Sequence, residues 1–217
     1  SAVATSKPTN KAVALIMAKL YKDRFVCVDT KKEIWYEFYS HRWHLTESGI
    51  SVTKKLIDDV ADIFWSFANR LRKKMSANDE DKEKDSLCTT QYKRALKYVE
   101  ELGQTGFCKS TLKMCIPYMY DSKFLLKMNE NRELVGFENG VYDLSRGIFR
   151  EGLPDDYVTF STGLTYKQFS HDDPEVQELQ EYLSKVFVNE NIRNYYLDFM
   201  SSCLMGGNKN KIFAVFT

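Results

Sequence analysis

The side chains best suited to a binding role are basic residues in two clusters with an acidic stretch between them. Lysine and arginine neutralise the phosphates of nucleic acids, and the counterions released in this way drive binding. The acidic stretch, residues 79–85, makes the local field mixed, so ordinary solvated helical faces remain the alternative interpretation. The clusters are Arg70, Arg72, Lys73 and Lys74, then Lys93, Arg94 and Lys97, with Lys109 and Lys113 further along.

Aromatic residues alternate with basic ones in a second candidate region, residues 31–43. Single-stranded nucleic acids stack their bases on aromatic rings inside basic grooves, so this composition suits single-strand binding. Trp35, Arg42 and Trp43 are the candidates for that contact. The alternative is that alternate aromatic side chains face the core, as they do in half-buried strands.

Three further groups resemble metal or phosphate sites, and each is better explained as structure. His41 and His44 have no third ligand near them in the sequence. The Asp155-Asp156 pair follows a proline, where carboxylates ordinarily accept hydrogen bonds in turns. The Gly206-Gly207 pair precedes an apolar run and lacks the Gly-Lys-Ser/Thr order of a phosphate loop, so it predicts a helix end. The sequence therefore offers no catalytic residue and no metal site.

Composition limits the class of protein. The 217 residues include 43% hydrophobic side chains and carry a net charge of +1, which suits a globular chain with a real core. Five scattered cysteines never form a Cys-x-x-Cys pair, which predicts neither disulfides nor zinc and favours a reducing compartment, cytosol or nucleus. No apolar run approaches the roughly 18 residues that a membrane span needs. The short run Ala12–Ala18 predicts an amphipathic helix that begins near Thr9 or Asn10.

A mostly helical body with a small β unit would position the candidate residues. Residues 24–45 contain three short runs of β-branched and aromatic residues, which predicts a three-stranded meander. Ser51 is the expected N-cap of a long helix, and the charged residues 76–88, which lack a helical stripe, are expected to form a mobile loop. The spacing of apolar residues predicts helices over residues 50–74, 89–102, 106–118 and 121–128.

The segment from Phe137 to Gly163 contains many turn-forming residues between short apolar runs. Asn139-Gly140 predicts a hairpin with a type I′ turn, because that turn needs a positive φ at both central positions. Ser145-Arg146-Gly147 predicts a second turn. Residues 131–170 are therefore interpreted as a folded connector.

Residues 171–217 are expected to form a pair of acidic helices followed by a buried strand. One helix begins near Pro174 and the next covers residues 191–205, and their negative charge favours contact with protein. Residues 211–217 are apolar, which is typical of a strand that leads into an ATPase domain. Residues 1–9 are expected to be a disordered tail or an expression scar, and residues 10–130 a helical module. The predicted fold class is α+β, predominantly α-helical, with an antiparallel meander near the N-terminus and a hairpin connector near residues 133–150.

Four stretches together resemble a viral family: Trp35–Trp43, Gly136–Leu144, Phe149–Tyr166 and Leu204–Thr217. Their most specific parts are the Asn-Gly-Val-Tyr-Asp-Leu hairpin and the Pro-x-Asp-Tyr-x-x-x-Ser-Thr-Gly run. Over about residues 10–217 the chain resembles the region immediately N-terminal to the superfamily 3 helicase core in poxvirus-type primase-helicases of large DNA viruses. Related phage and plasmid helicases share this region.

The resemblance implies a non-catalytic linker or collar in a DNA-replication protein with primase and helicase activity. These residues contain no Walker A, Walker B or primase motif, so no catalytic residue is carried over. ATP and Mg²⁺, an adjoining AAA+ ATPase domain and a hexameric homo-oligomer are implied for the longer protein. For this region the resemblance implies weak, salt-dependent DNA contact, no membrane, and a viral replication site in the host cytoplasm or nucleus.

Two other classes of function stay open from the residues alone. One is an independent nucleic-acid-binding or protein-docking module without a helicase domain, whose last strand would pair within residues 1–217. The other is an enzyme that uses the carboxylates of the turn region, although the lack of a convergent His, Cys or Gly-rich motif counts against it. A Gly-x-x-x-x-Gly-Lys-Ser/Thr motif directly after Thr217 would establish the helicase.

Overall fold

The computed structural model describes residues 8–77 and 82–205, and these divide into two compact units. The first contains the described residues up to Phe38 together with His44–Leu125, and the second contains Tyr39–Trp43 together with the described residues from Leu126 onward. The fold is α+β and mainly helical, with two small antiparallel sheets, which confirms the predicted class. Each helix in the described part of the chain is too short or too polar to span a lipid bilayer.

Helices make up most of the first unit. They are α1 (Asn10–Leu20), α2 (Ile50–Lys55), a π-helical turn (Leu56–Val60), α3 (Ala61–Ala77), α4 (Lys82–Leu102) and α5 (Thr105–Met119). The meander predicted for residues 24–45 is confirmed, with strands in the order β1 (Phe25–Asp29), β2 (Ile34–Tyr39) and β3 (Arg42–Thr46). The turn of the β2–β3 hairpin belongs to the second unit.

The core of the first unit is formed by β1, β2, the π-helical turn and all five helices, α1 to α5. Val13, Met17 and Leu56 are among its fully buried side chains. Burying a side chain of this size contributes about 1.5–3 kcal/mol, so this cluster is the main source of the unit's stability. The predicted start of α1 is confirmed, because the Thr9 hydroxyl accepts a hydrogen bond from the Ala12 N–H at 3.2 Å.

The predicted N-cap of the long helix was wrong. Ser51 lies inside α2, and the N-cap is Gly49, which adopts a left-handed conformation with a φ of 64°. A Cβ at this position would lie 3.0 Å from a methyl group of Leu112 and 3.3 Å from the Trp35 ring. The left-handed backbone and the close neighbours both favour glycine, and neither is visible in a short sequence window.

The predicted mobile loop at residues 76–88 was also wrong wherever the structure describes it. The helix α3 extends to Ala77 and α4 begins at Lys82. Lysine and glutamate favour helix, and no glycine or proline interrupts this stretch, so a high charge did not prevent helix formation. The lack of an apolar stripe predicted disorder in this stretch. The stretch instead includes the N-terminal part of α4, whose buried residues lie closer to its C-terminal end.

The second unit follows a short helix, α6 (Phe124–Lys127), and contains a second three-stranded meander. The described part of the chain ends with two helices, as predicted. The predicted strand 211–217 and the Gly206-Gly207 helix end lie outside the described residues. The elements are β4 (Leu134–Phe137), β5 (Gly140–Asp143), β6 (Ile148–Arg150), a 3₁₀ turn (Pro154–Asp156), α7 (Pro174–Val186) and α8 (Glu190–Ser202).

The predicted hairpin is present, but its turn is one residue earlier than the sequence suggested. Phe137 pairs with Gly140, so the connecting residues are Glu138 and Asn139. Neither Asn139 nor Gly140 has a positive φ, so the predicted type I′ turn was wrong. Gly140 is required for a different reason, because a Cβ there would lie 2.5 Å from the carbonyl oxygen of Arg150 on β6.

The extended residues 158–166 lie beside β4 and complete the connector. The Thr162 N–H donates to the Gly136 carbonyl at 2.9 Å, and the Glu138 N–H donates to the Leu164 carbonyl at 2.9 Å. A Cβ on Gly136 would overlap the Phe160 carbonyl oxygen, so only glycine allows this approach. The Ser-Thr-Gly end of the specific motif is therefore used for backbone pairing.

The Pro-x-Asp-Tyr run forms a second joint, with the turn of the β2–β3 hairpin. The backbone N–H of Trp43 donates to the Val158 carbonyl at 2.8 Å, and its indole N–H donates to the Pro154 carbonyl at 2.8 Å. Asp156 forms a bidentate ion pair with Arg150, at 2.7 and 2.8 Å. Asp156, a carboxylate that could have suited a cation site, therefore stabilises the second unit through this ion pair.

Candidate nucleic-acid interface

The predicted basic clusters lie on α3 and α4, which pack against each other along buried stripes. Phe64 and Leu71 belong to the stripe of α3, and Ala95 and Tyr98 to that of α4. The rings of Phe64 and Tyr98 stack with their centroids 4.4 Å apart and their planes 5° apart. Since the stripes face each other, the side chains on the opposite side of each helix face solvent.

The structure brings three of the four basic residues of α3 together. Arg70, Lys73 and Lys74 are exposed and follow the spacing i, i+3, i+4, which places them on one face of the helix. The Arg70 guanidinium lies 6.0 Å from the centroid of the Phe67 ring on the same helix. Arg72 is exposed on a different side of α3. We call Arg70, Lys73 and Lys74 the α3 basic face.

The basic residues of α4 do not join that face. Lys93 and Lys97 are exposed and one helical turn apart, and we call them the α4 basic face. Both lie opposite the buried stripe of α4, so they point away from the α3 basic face. Arg94 is half-buried beside the stripe. A single path of phosphates along one side of the pair therefore cannot contact both faces.

The predicted stacking of bases on Trp35 and Trp43 was wrong. Trp35 is 0% exposed and Trp43 is 4% exposed, so neither ring has a surface on which a base could stack. Arg42 is half-buried and forms an ion pair with Glu138 at 3.0 Å. The alternative interpretation, in which the aromatic side chains face the interior, holds for both tryptophans.

One exposed tryptophan was missed. Trp65 follows the stripe residue Phe64 on α3 and is 51% exposed. Its position next to the stripe, rather than in it, follows from the spacing of residues 64, 68 and 71, so the sequence carried the signal. Trp65 lies five residues before Arg70, about 140° around the helix axis, so this exposed indole is on a different side of α3 from the basic face.

A groove of about 690 Å³ lies in the first unit, between α2 with the π-helical turn on one side and α5 on the other. Exposed Ile50 and Ile57 line one side, and buried Cys108 and Leu112 line the other. Each side follows the spacing of one helical face. The charged side chains around the groove are Lys54, Lys109 and Lys113, together with Glu33 and Asp58.

The α7–α8 pair has the opposite character to the α3–α4 pair. None of its described residues is buried. The two helices contact each other through Phe187 and Tyr196, whose ring centroids are 4.6 Å apart, and the Arg193 guanidinium donates to the Phe187 carbonyl at 3.2 Å. Large apolar side chains remain exposed on both helices: Leu179, Tyr182 and Val186 on α7, and Ile192, Tyr195 and Met200 on α8.

The shifted titratable groups lie in structural contacts. Burial and a 2.6 Å hydrogen bond to Asp59 raise the pKa of Tyr21, and hydrogen bonds from Tyr21 and Lys55 lower the pKa of Asp59. Burial raises the pKa of Cys115 to about 12, which keeps this thiol protonated and unreactive near neutral pH. Among the described residues, no three His, Cys, Asp or Glu side chains form a group that could hold a metal ion.

Comparisons with known proteins connect the chain to large DNA viruses. The D5 N terminal like family matches residues 14–188. The chain is 32% identical over 216 residues to the protein named "Putative helicase L207/L206" of Acanthamoeba polyphaga mimivirus, which covers 96% of this chain and 22% of that protein. It is 26% identical over 230 residues to "Putative helicase 121R" of Invertebrate iridescent virus 3, covering 94% of this chain and 24% of that protein.

A third relative extends the range of viruses. The chain is 23% identical over 189 residues to "Putative helicase 022R" of Frog virus 3 (isolate Goorha), covering 74% of this chain and 19% of that protein. The chain thus spans about a fifth to a quarter of the length of the curated relatives that it matches. The matches confirm the resemblance to the N-terminal region of viral primase-helicases. Because the family matches most of its length, this chain belongs to the D5 N terminal like family.

Proposed function

We propose that this chain is the non-catalytic linker or collar that precedes the ATPase core of a viral DNA-replication helicase with primase activity. The names of the relatives and the small share of their length that the chain spans support this role. The contacts of the motif residues support it as well. Gly136, Asp156 and Pro154 are engaged in backbone pairing, an ion pair and a hydrogen bond to an indole, which is architecture rather than catalysis.

The exposed apolar surface of the α7–α8 pair is the observation that carries the proposal. Leu179 is 56% exposed and Tyr182 is 62% exposed, although both belong to a regular helix. Exposed apolar patches of this kind mark protein contacts. The acidic side chains on α7, Glu175, Glu178 and Glu181, disfavour a nucleic acid as the partner at this surface. A protein surface of the same replication complex is the partner that fits.

The longer protein supplies the chemistry in this proposal. ATP and Mg²⁺ bind in an adjoining superfamily 3 ATPase domain, outside the residues of this chain, and the assembly is a hexameric ring. The chain positions that ring and connects it to the primase. The protein acts at the replication site inside the infected host cell.

Weak DNA contact by the first unit is the second part of the proposal. The α3 basic face supplies the positive charge for this contact, while Trp65 is exposed on another side of the same helix. Three phosphate contacts of this kind give a modest affinity with a shallow but measurable salt dependence. The α4 basic face lies on the other side of the pair and serves as an internal comparison.

The linker role is tested in the longer protein that contains this chain. Leu179→Ser with Tyr182→Ser should lower ATP-driven DNA unwinding at least tenfold while ATP hydrolysis without DNA stays within about twofold, because the ATPase site is untouched. Leu153→Ser, at an exposed leucine in the second unit, is the control. Unwinding that is unchanged in the double variant would refute the linker role of this surface.

The DNA contact is tested with this chain and fluorescent single-stranded DNA. Charge reversal of Arg70, Lys73 and Lys74 should weaken binding at 50 mM salt about tenfold and lower the salt slope by about two to three, because about three phosphates are then no longer neutralised. Charge reversal of Lys93 and Lys97 measures how much the α4 basic face contributes to the same affinity and salt slope. An unchanged salt slope in the Arg70, Lys73 and Lys74 variant would show that the α3 basic face is a solvated surface that does not contact DNA.

A further inference from the structure

The groove between α2 and α5 has an apolar lining that the described residues of the first unit leave uncovered. Ile50 is 67% exposed at one end of the groove, and Ile57 is also exposed. Residues 50–58 and 105–113 form its two sides, and eight helical steps correspond to a length of about 12 Å. A groove of this length accommodates two to three turns of an amphipathic helix.

The rim of the groove selects for the charge of such a helix. Lys54, Lys109 and Lys113 are exposed beside the apolar lining, and Glu33 and Asp58 are the acidic residues around it. Lysines outnumber acids, and Lys109 and Lys113 lie one turn apart on the same side. An acidic helix with a short apolar stripe is therefore the complementary ligand.

The chain itself contains a helix with those properties. Leu179, Tyr182 and Val186 follow the spacing i, i+3, i+7 on α7 and are exposed. This stripe is about 10 Å long, which matches the groove. Glu175 and Glu178 lie at its N-terminal end and along its edge, where they can meet lysines of the rim. Glu181 is already paired with Lys185 at 2.6 Å.

We infer that α7 of one copy of the chain docks in the α2–α5 groove of a second copy. The groove and α7 are different surfaces of the same chain, so each copy can accept one neighbour and donate to another. Head-to-tail contacts of this kind close into a ring where the rotation between copies permits it. The inference deepens the proposed collar function, on which it rests for the expectation of an oligomer.

The contact is weak in this chain alone. A helix of two to three turns buries less than the roughly 1,200–2,000 Å² typical of a stable protein interface. Association should therefore appear only at high protein concentration, and additional contacts in the longer protein would reinforce it. Sedimentation velocity across a range of concentrations measures it directly.

Charge exchange between two variants tests the contact and its direction. Lys109→Glu with Lys113→Glu makes the groove acidic, and Glu175→Lys with Glu178→Lys makes α7 basic. Each variant alone should associate at least tenfold more weakly than the natural chain, because like charges then meet. Mixing the two should restore association to within about threefold, because every groove then finds an α7 of opposite charge on another copy.

Matched controls separate this result from the alternatives. Lys93→Glu with Lys97→Glu reverses two lysines with the same spacing outside the groove and should leave association unchanged. The inference is overturned by association that persists in both single variants, by a loss that mixing does not restore, or by a natural chain that stays monomeric at every concentration, as docking within one copy would give. It is also overturned if the groove variant loses DNA binding with no change in association. Unwinding by the longer protein is a separate measurement. A negative result for association therefore does not decide the proposed linker function, which is tested by unwinding.

Discussion

The two helical pairs of this chain are built on the same plan and differ in what they bury. In the α3–α4 pair, Phe64, Leu71, Ala95 and Tyr98 are buried between the helices. In the α7–α8 pair, no described residue is buried, and only a few side chains such as Phe187 are partly covered. The first pair is stabilised by contacts between its two helices, whereas the apolar side chains of the second pair stay exposed and are available to contact another surface.

Charge follows the same division. The exposed side of α3 carries Arg70, Lys73 and Lys74, while α7 carries Glu175, Glu178 and Glu181. A self-sufficient basic pair suits a phosphate ligand, which needs a rigid surface with positive charge. An acidic pair with exposed apolar residues suits a protein surface. Two elements that secondary structure alone would not distinguish therefore suit different partners.

The largest expected effect separates the two pairs by stability. Tyr98→Ala should lower the free energy of unfolding by about 4 kcal/mol, because it leaves a cavity next to the Phe64 ring. Leu179→Ala, at a half-exposed position of α7, should cost less than about 0.5 kcal/mol in this chain. Urea unfolding followed by circular dichroism measures both. Equal losses would show that the α7–α8 pair has a buried side of its own, like the α3–α4 pair.

The next effect concerns the part of the second unit that is well packed. Gly136→Ala should cost on the order of 3 kcal/mol, because the added methyl group would overlap the Phe160 carbonyl oxygen and push residues 158–166 away from β4. Gly106→Ala, at a helical position with nothing within 4 Å, should be neutral or slightly stabilising. A Gly136→Ala variant as stable as the natural chain would mean that the two segments are not held this closely.

A smaller loss is expected at the joint formed by the Pro-x-Asp-Tyr run. Asp156→Asn removes the charge that accepts two hydrogen bonds from Arg150, and it should cost about 2 kcal/mol. Asp155→Asn changes an exposed neighbour in the same way and should cost less than about 0.5 kcal/mol. Similar losses for both variants would indicate that the turn, rather than the ion pair, stabilises this region.

The sequence predicted the elements better than the contacts between them. Local patterns were sufficient for three elements: a capped apolar run for α1, runs of β-branched and aromatic residues for the first meander, and apolar spacing for α5. They were insufficient at Gly49 and Gly140, where Leu112 on α5 and the Arg150 carbonyl on the adjacent strand β6, respectively, explain the glycine. Such neighbours are not visible in a window of ten residues.

The candidate site shows the same limit. The lysines and arginines were found from composition, but their division into two opposed faces depends on which side of each helix is buried. Trp35 and Trp43 have the aromatic character of a stacking surface and proved to be buried, while Trp65 has the same character and is exposed. Composition identifies the kind of ligand that a surface would bind, and burial decides which residues belong to the surface.

The smallest expected effect is at the base of the α3–α4 pair, where the π-helical turn joins α3. The Tyr21 hydroxyl of α1's C-cap donates to Asp59 at 2.6 Å, and Lys55 donates to the same carboxylate at 2.9 Å. Tyr21→Phe removes one of these hydrogen bonds and should cost about 1 kcal/mol at pH 7. Tyr118→Phe, at an exposed tyrosine, is the control and should change stability by less than about 0.5 kcal/mol.

The dependence of that loss on pH identifies its cause. Hydrogen bonds from Tyr21 and Lys55 hold the pKa of Asp59 below its ordinary value of 3.8. Their contribution to the free energy of unfolding is therefore present above about pH 4 and is lost as the pH falls through the lowered pKa. The raised pKa of Tyr21 acts in the other direction, because its contribution is present below about pH 10 and is lost at higher pH. The difference between the natural chain and Tyr21→Phe, measured by urea unfolding at pH 2.5, 4 and 7, should therefore be largest at pH 7 and narrow toward pH 2.5. A difference that is constant across this range would mean that Tyr21 stabilises the base of the pair by ring packing alone.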